Sequence, residues 1–136
     1  MHLDGTFKVD EFKPATLNSS PMILTALPTG LATMRKSFSG AVSGTSTTLF
    51  TAAFDQTSGQ GTYLAMEAFQ GSLGQFHGAF NFVHSATTAG KTRTDEFFLI
   101  VPNSGTADLK GISGTGGIAI DPDGRHRIWF EIAGLD

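Results

Sequence analysis

The chain has 136 residues, a formal net charge of −3 and no cysteine. That length fits one domain, residues 1–136, with a sizeable core of its own, and the missing thiols exclude disulfides, thiolate metal sites and cysteine nucleophiles. The basic residues are scattered (Arg35 and Lys36, Lys91 and Arg93, Arg125 and Arg127) as on a solvated sheet face, which leaves no footprint for nucleic acid or an anionic membrane.

No apolar run approaches the roughly 20 residues of a spanning helix, and the first residues lack the basic and apolar regions of a signal peptide. A cytoplasmic location is the expectation, which the lack of cysteine fits. Asn18-Ser19-Ser20 spells a glycosylation sequon, relevant only to a secreted chain.

Period-two alternation begins at once, with Leu3, Gly5, Phe7 and Val9 on one face and His2, Asp4, Thr6, Lys8 and Asp10 on the other. Residues 13–30, which include Pro14, Pro21 and Pro28, break the pattern and predict a long irregular loop. Strands are then expected over 31–40, 45–54, 62–69, 75–85, 94–101, 107–112, 117–120 and 125–133, separated by Gly, Ser, Asp and Asn clusters. No helical period is sustained. The fold expected is all-β: a single small antiparallel barrel of about eight strands.

Two hairpins can be read in register. Asp121-Pro122-Asp123-Gly124 places Pro and Gly where a tight turn wants them. Pairing Asp121 with Arg125 sets Ile120 opposite His126, Ile118 opposite Ile128 and Gly116 opposite Phe130, which aligns two apolar stripes. For the strands over 62–69 and 75–85, a loop over 70–74 pairs Phe69 with Phe76, Glu67 with Gly78 and Tyr63 with Phe82. Both faces of this hairpin are apolar, as in a barrel wall whose outside packs on a loop, a helix or another subunit.

Three motif-like stretches fail on context. The glycines of 114–119 loosely match a dinucleotide fingerprint, but the turn at 121–124 leaves no room for the helix such a site needs, so a glycine-rich bend or close strand crossing is read instead. Gly90-Lys91-Thr92 lacks the leading glycine and the helix of a phosphate loop and reads as a hairpin tip. The stretch 111–115 ends in Thr115 where a nucleophile elbow requires Gly. His2, His77, His84 and His126 show no ligand spacing, and His77 and His84 point to opposite faces, so neither a metal nor any cofactor is expected.

Glu67 stands out, lying between Tyr63, Ala65 and Phe69 on one face of an otherwise apolar strand. Either that face is outward or Glu67 pairs with an arginine, or it is a carboxyl in an apolar pocket, able to act as general acid or base. His84 ends the face of Phe80 and Phe82, where it can line a barrel mouth. In the register above it lies too far along the sheet to touch Glu67.

Gly5-Thr6-Phe7-Lys8-Val9, then Tyr63-x3-Glu67-x3-Gly71 with Gly78-x-Phe80-x3-His84, then Ser104-Gly105-Thr106-x2-Leu109-x-Gly111 occur in that order. This ordered set resembles the bacterial family of domain of unknown function 3224 through nearly the whole chain. The resemblance implies membership of the allene oxide cyclase-like barrels: eight antiparallel strands, an apolar cavity and assembly into homo-oligomers. Gln75-Phe76 replaces the Gly-Arg pair common in relatives, and Asp108 stands where Glu is usual.

The chain has 12 Phe but one Trp and one Tyr, so most of its aromatic surface has no polar tip to satisfy and suits a dry core or an apolar pocket. The function expected is binding of a hydrophobic or amphipathic small molecule in the barrel cavity, contacted by Tyr63, Glu67, Phe80, Phe82 and His84, with no nucleic-acid or membrane partner. The alternatives are a cyclase or isomerase using Glu67 as acid/base, which the resemblance suggests, and a filled barrel serving as a structural or oligomeric module.

Overall fold

The computed structural model of the chain describes residues 1–17 and 23–135. Its strands are β1 (His2–Ala15), β2 (Thr29–Gly40), β3 (Val42–Asp55), β4 (Gln60–Leu73), β5 (Phe76–Ala89), β6 (Thr92–Ile100), β7 (Ser113–Ile120) and β8 (His126–Ala133). All pair antiparallel in one sheet of order β6-β5-β4-β3-β2-β1-β8-β7. The sheet curls until β6 and β7 lie side by side, Phe98 of β6 against Gly116 of β7. No hydrogen-bond ladder joins those two strands among the described residues, so the barrel is nearly closed.

The predicted loop over 13–30 is shorter than expected. Lys13, Pro14 and Ala15 pair with Thr33, Ala32 and Leu31, and β2 starts at Thr29. Pro14 fits because β8 pairs with β1 only as far as Phe7, leaving the rest of β1 an edge where a missing N–H costs nothing. The sequon at Asn18 lies outside the described residues.

Residues 107–112, expected as a strand, instead hold a 3-10 turn over Ala107–Leu109. Asn103 and Ala107 adopt left-handed backbone, and Leu109 is driven into the core with no exposed surface. The segment still serves the sheet. The Oγ of Ser104, the Oγ1 of Thr106 and an Oδ of Asp108 accept the backbone N–H groups of Asn81, Ala79 and His77 at 3.0, 3.0 and 3.1 Å. These three donors lie where β6 no longer pairs with β5, so side chains on alternate residues stand in for a neighbouring strand.

The 121–125 hairpin has the predicted register: Ile120 opposite His126, Ile118 opposite Ile128 and Gly116 opposite Phe130. The β4–β5 hairpin is displaced by four residues. Both strands run on to a two-residue turn at Gly74-Gln75, where Gly74 has φ +60°, and Leu73 pairs with Phe76. An even displacement keeps every side chain on its predicted face but changes its partners, so Glu67 lies opposite Phe82.

One end of the barrel is a packed aromatic plug. Phe38, Phe69, Phe80, Phe82 and Phe130 interlock tilted or edge-to-face at 5.2–5.8 Å between centroids, over Val42, Leu73, Leu109 and Ile112. Each such ring contributes about 1.5–3 kcal/mol by burial alone. The sheet coils tightly at Gly44, Gly71 and Gly78, which are paired in a row across β3, β4 and β5. Gly71 has φ +148°, and a Cβ there would sit 2.1 Å from the Ser43 carbonyl oxygen. Gly71→Ala should therefore destabilise the fold by roughly 2–5 kcal/mol through strain and overpacking. Denaturant unfolding checks this, and a loss below about 1 kcal/mol would contradict it.

Candidate functional site

Beyond the aromatic plug the interior turns polar. Alternation along β4 points Tyr63, Ala65, Glu67 and Phe69 inward, β5 contributes Phe80, Phe82 and His84, and β2 contributes Lys36. Glu67 has no exposed surface, and Lys36 and His84 are buried beside it. The Glu67 Oε1 accepts a hydrogen bond from the Lys36 ammonium, which also lies 4.9 Å from the centre of the Phe7 ring. The same oxygen is 3.2 Å from His84 Nε2. Oε2 of Glu67 and the hydroxyls of Ser46 and Thr48 have no hydrogen-bond partner among the described residues.

Burial alone would push the Glu67 carboxyl up, but the His84 hydrogen bond and the Lys36 charge outweigh it and hold the group below its ordinary value. Glu67 is thus a carboxylate. Burial moves His84 the other way, below its ordinary 6.5, despite the pull of Glu67, so the ring is neutral at pH 7. A carboxylate has no proton to give, so the one between Glu67 and His84 sits on Nε2 and Nδ1 is left as an acceptor. The Tyr63 hydroxyl, 2.8 Å away, donates to it.

Arg93 Nη2 in turn donates to the Tyr63 oxygen at 2.7 Å and its Nε donates to Glu96 at 2.8 Å. This reach follows from an irregularity in β6, where Asp95 has φ +53° and the pairing with β5 shifts register between Ser85 and Thr87. Burial raises the Tyr63 hydroxyl above its ordinary 10.0 in spite of Arg93, so it stays protonated. The result is an unbroken chain, Lys36–Glu67–His84–Tyr63–Arg93–Glu96, that runs from the middle of the barrel to its rim.

Above this chain the other end of the barrel is open, over a cavity of about 490 Å³. Phe12, Leu31, Phe50, Ala52, Phe54 and Tyr63 form its apolar wall, with Tyr63 stacked on Phe50 at 5.4 Å. A groove of about 550 Å³ beside His2, Asp4 and Trp129 is slightly larger, but it is lined mostly by outward residues of β1, β2 and β8 and by none of the buried chain. Among the described residues no group of three or more His, Cys, Asp or Glu is placed to hold a metal ion.

Tyr63, Glu67 and His84 are brought together, and the register shift explains why sequence reasoning separated the last two. Phe80 and Phe82 lie deeper, in the aromatic plug, and do not line the cavity. Lys36 and Arg93, read as solvated charges, are corrected: only 5% of the Lys36 side chain and 13% of the Arg93 side chain are exposed. Lys36 could have been found, because Ala32, Met34, Lys36 and Phe38 share one face by period two in an otherwise apolar row. Arg93 carries no such signal.

Removing one member of a buried ion pair costs about 3–5 kcal/mol, whereas replacing both with apolar groups can be neutral. Lys36→Met should therefore cost that much, and Lys36→Met with Glu67→Leu should recover most of it, as read by urea unfolding in a double-mutant cycle. Strict additivity would show that the two are not paired. Acid should also destabilise the fold. His84 is held below 6.5, so as pH falls through that value the unfolded chain takes up a proton that the folded one refuses, costing up to about 1.4 kcal/mol per pH unit. Glu67, held below 4.5, loses its contribution only at still lower pH. His84→Gln should flatten the fall between pH 7 and 5; some slope persists because His126 is shifted the same way.

The DUF3224 family, described as a protein of unknown function, matches the chain over residues 3–132. The crystal structure of a protein of unknown function from that family in Shewanella oneidensis MR-1 is 24% identical, with a TM-score of 0.83 over 100% of this chain and 98% of the other. At that identity the likeness shows the fold. No curated protein matches the chain. The family match takes in the Glu67 strand, the His84 strand and the Ser104 segment alike, and the chain belongs to the DUF3224 family.

Proposed function

We propose that this protein binds an amphipathic small molecule at the open end of the barrel, its apolar part against Phe12, Phe50 and Phe54. The observation that carries this reading is the double position of Tyr63, which is both a wall of the 490 Å³ cavity and a member of the buried polar chain. An apolar cavity with few, fixed polar groups is what a small-molecule site requires. The polar chain is preset: Glu67 is offset by Lys36, His84 is neutral, and Tyr63 keeps its proton.

That balance favours binding over the cyclase or isomerase reading suggested by the likeness expected to allene oxide cyclase-like barrels. The one neutral base of the chain, His84, has its free nitrogen engaged by Tyr63, and neither His84 nor Glu67 lines the cavity. Were there chemistry, Tyr63 would meet the substrate and Glu67 would act through His84 as a positioning residue. A cytoplasmic location belongs to the same reading. No helix of the described residues is long and apolar enough to cross a membrane.

The test is titration with 1-anilinonaphthalene-8-sulfonate, an amphiphile whose emission rises on burial. Saturable binding is expected, weakened at least about tenfold by Ala52→Trp, which fills the cavity from its wall. Absence of saturable binding, or equal binding by a folded Ala52→Trp variant, would overturn the proposal.

A further inference from the structure

The outside of the wall opposite β1 and β8 carries an exposed apolar patch among small uncharged residues. One row of paired residues crosses four strands as Leu49, Met66, Val83 and Leu99, and the next runs through Leu64 to Phe97 by way of Ser85. Leu49 is 68% exposed, and Leu64 and Phe97 are about half exposed, so these are water-facing positions and not a second core.

The β3–β5 part of that wall is nearly empty of charge, with Asp55 at the very end of β3, whereas β6 carries Arg93, Asp95 and Glu96. Across residues 42–54, 61–73 and 76–89 the sole Asp, Glu, Lys or Arg is Glu67, which points inside. The rest of the chain carries the other 11 acidic and all 9 basic residues. A solvated surface normally mixes both signs at about a quarter to a third of its positions. Loss of charge together with exposed Leu, Met and Phe is the composition of an interface core.

We infer that the outer face of β3, β4 and β5 is the contact surface of a homodimer, two copies meeting face to face about a two-fold axis near Met66. Self-association is singled out by charge. An uncharged face meets its own copy without like-charge pairs to desolvate, whereas a charged partner finds nothing there to bind. A lipid surface is a poorer fit, because the face lacks the Lys and Arg that hold interfacial elements on anionic head groups. Size allows it: strands of 14 residues, three abreast, span roughly 46 by 14 Å, of the order of the ~800 Å² per partner in a stable interface.

Sedimentation of the whole protein over micromolar concentrations should show a monomer–dimer equilibrium. Met66→Lys should weaken it at least about thirtyfold, the effect of losing a central anchor, while Lys8→Glu, on the far wall, leaves it unchanged. The chain has no cysteine, so Met66→Cys gives an independent readout, with a short bismaleimide linking two copies where Lys8→Cys gives no product. A wild type that stays monomeric, or one that dimerises equally well with Met66→Lys and is not linked through Met66→Cys, would overturn the inference. So would a monomer that floats with phosphatidylcholine vesicles, which would assign the face to lipid. None of these outcomes bears on the cavity, which opens at the barrel end.

Discussion

Glu67 places a full negative charge in the middle of the barrel with no surface open to water, and the surrounding structure has to answer it within a few ångströms. An isolated buried carboxylate would cost several kcal/mol, so its partners are constraints on the fold and not decoration. They come from different strands, Lys36 from β2 and His84 from β5, with β3 between Lys36 and Glu67 in the sheet. A one-residue slip at any of these pairings would turn a charged side chain outward or strand its partner inside. The ion pair thereby specifies the register of half the sheet, more than it adds to net stability.

The interior is graded along the barrel axis. The end closed by Phe69, Phe80, Phe82 and Phe130 is dry and densely packed, the middle is polar and fully engaged apart from Ser46, Thr48 and one oxygen of Glu67, and the far end opens between aromatic walls. The outside of the β3–β5 wall inverts the usual arrangement: apart from Asp55 at the end of β3, this part of the chain keeps its one charge inside and shows water only uncharged groups. Two surfaces are thus left with unmet apolar area, the mouth and the wall, and they are separated by the thickness of one sheet.

Much of this was legible before any coordinates. Period-two alternation locates the strands because a half-buried sheet demands it, and the turn at 121–124 fixes its own register because Pro and Gly leave few alternatives. A loop over 70–74 counts both Gly71 and Gly74 as turn residues, and that sets the β4–β5 register four residues off. Gly71 in fact lies within a strand, where close approach of the Ser43 carbonyl excludes any side chain. That one misassignment removed His84 from Glu67 and so hid the centre of the site. Arg93 was out of reach for another reason, since its contact with Tyr63 depends on a backbone irregularity at Asp95 that a sequence does not announce.

The segment after β6 has a further consequence. A strand edge with free N–H groups is a template on which another chain can lengthen the sheet, and natural proteins blunt such edges in various ways. Here Ser104, Thr106 and Asp108 occupy the donors of β5 with side-chain oxygens, while the accompanying backbone turns away into a 3-10 turn. An oxygen ladder of this kind satisfies the edge without presenting a long new one, because the segment that caps it leaves extended conformation at Ala107. The sheet is brought to a stop beside that part of β5, so a second copy has no donors there on which to add a strand.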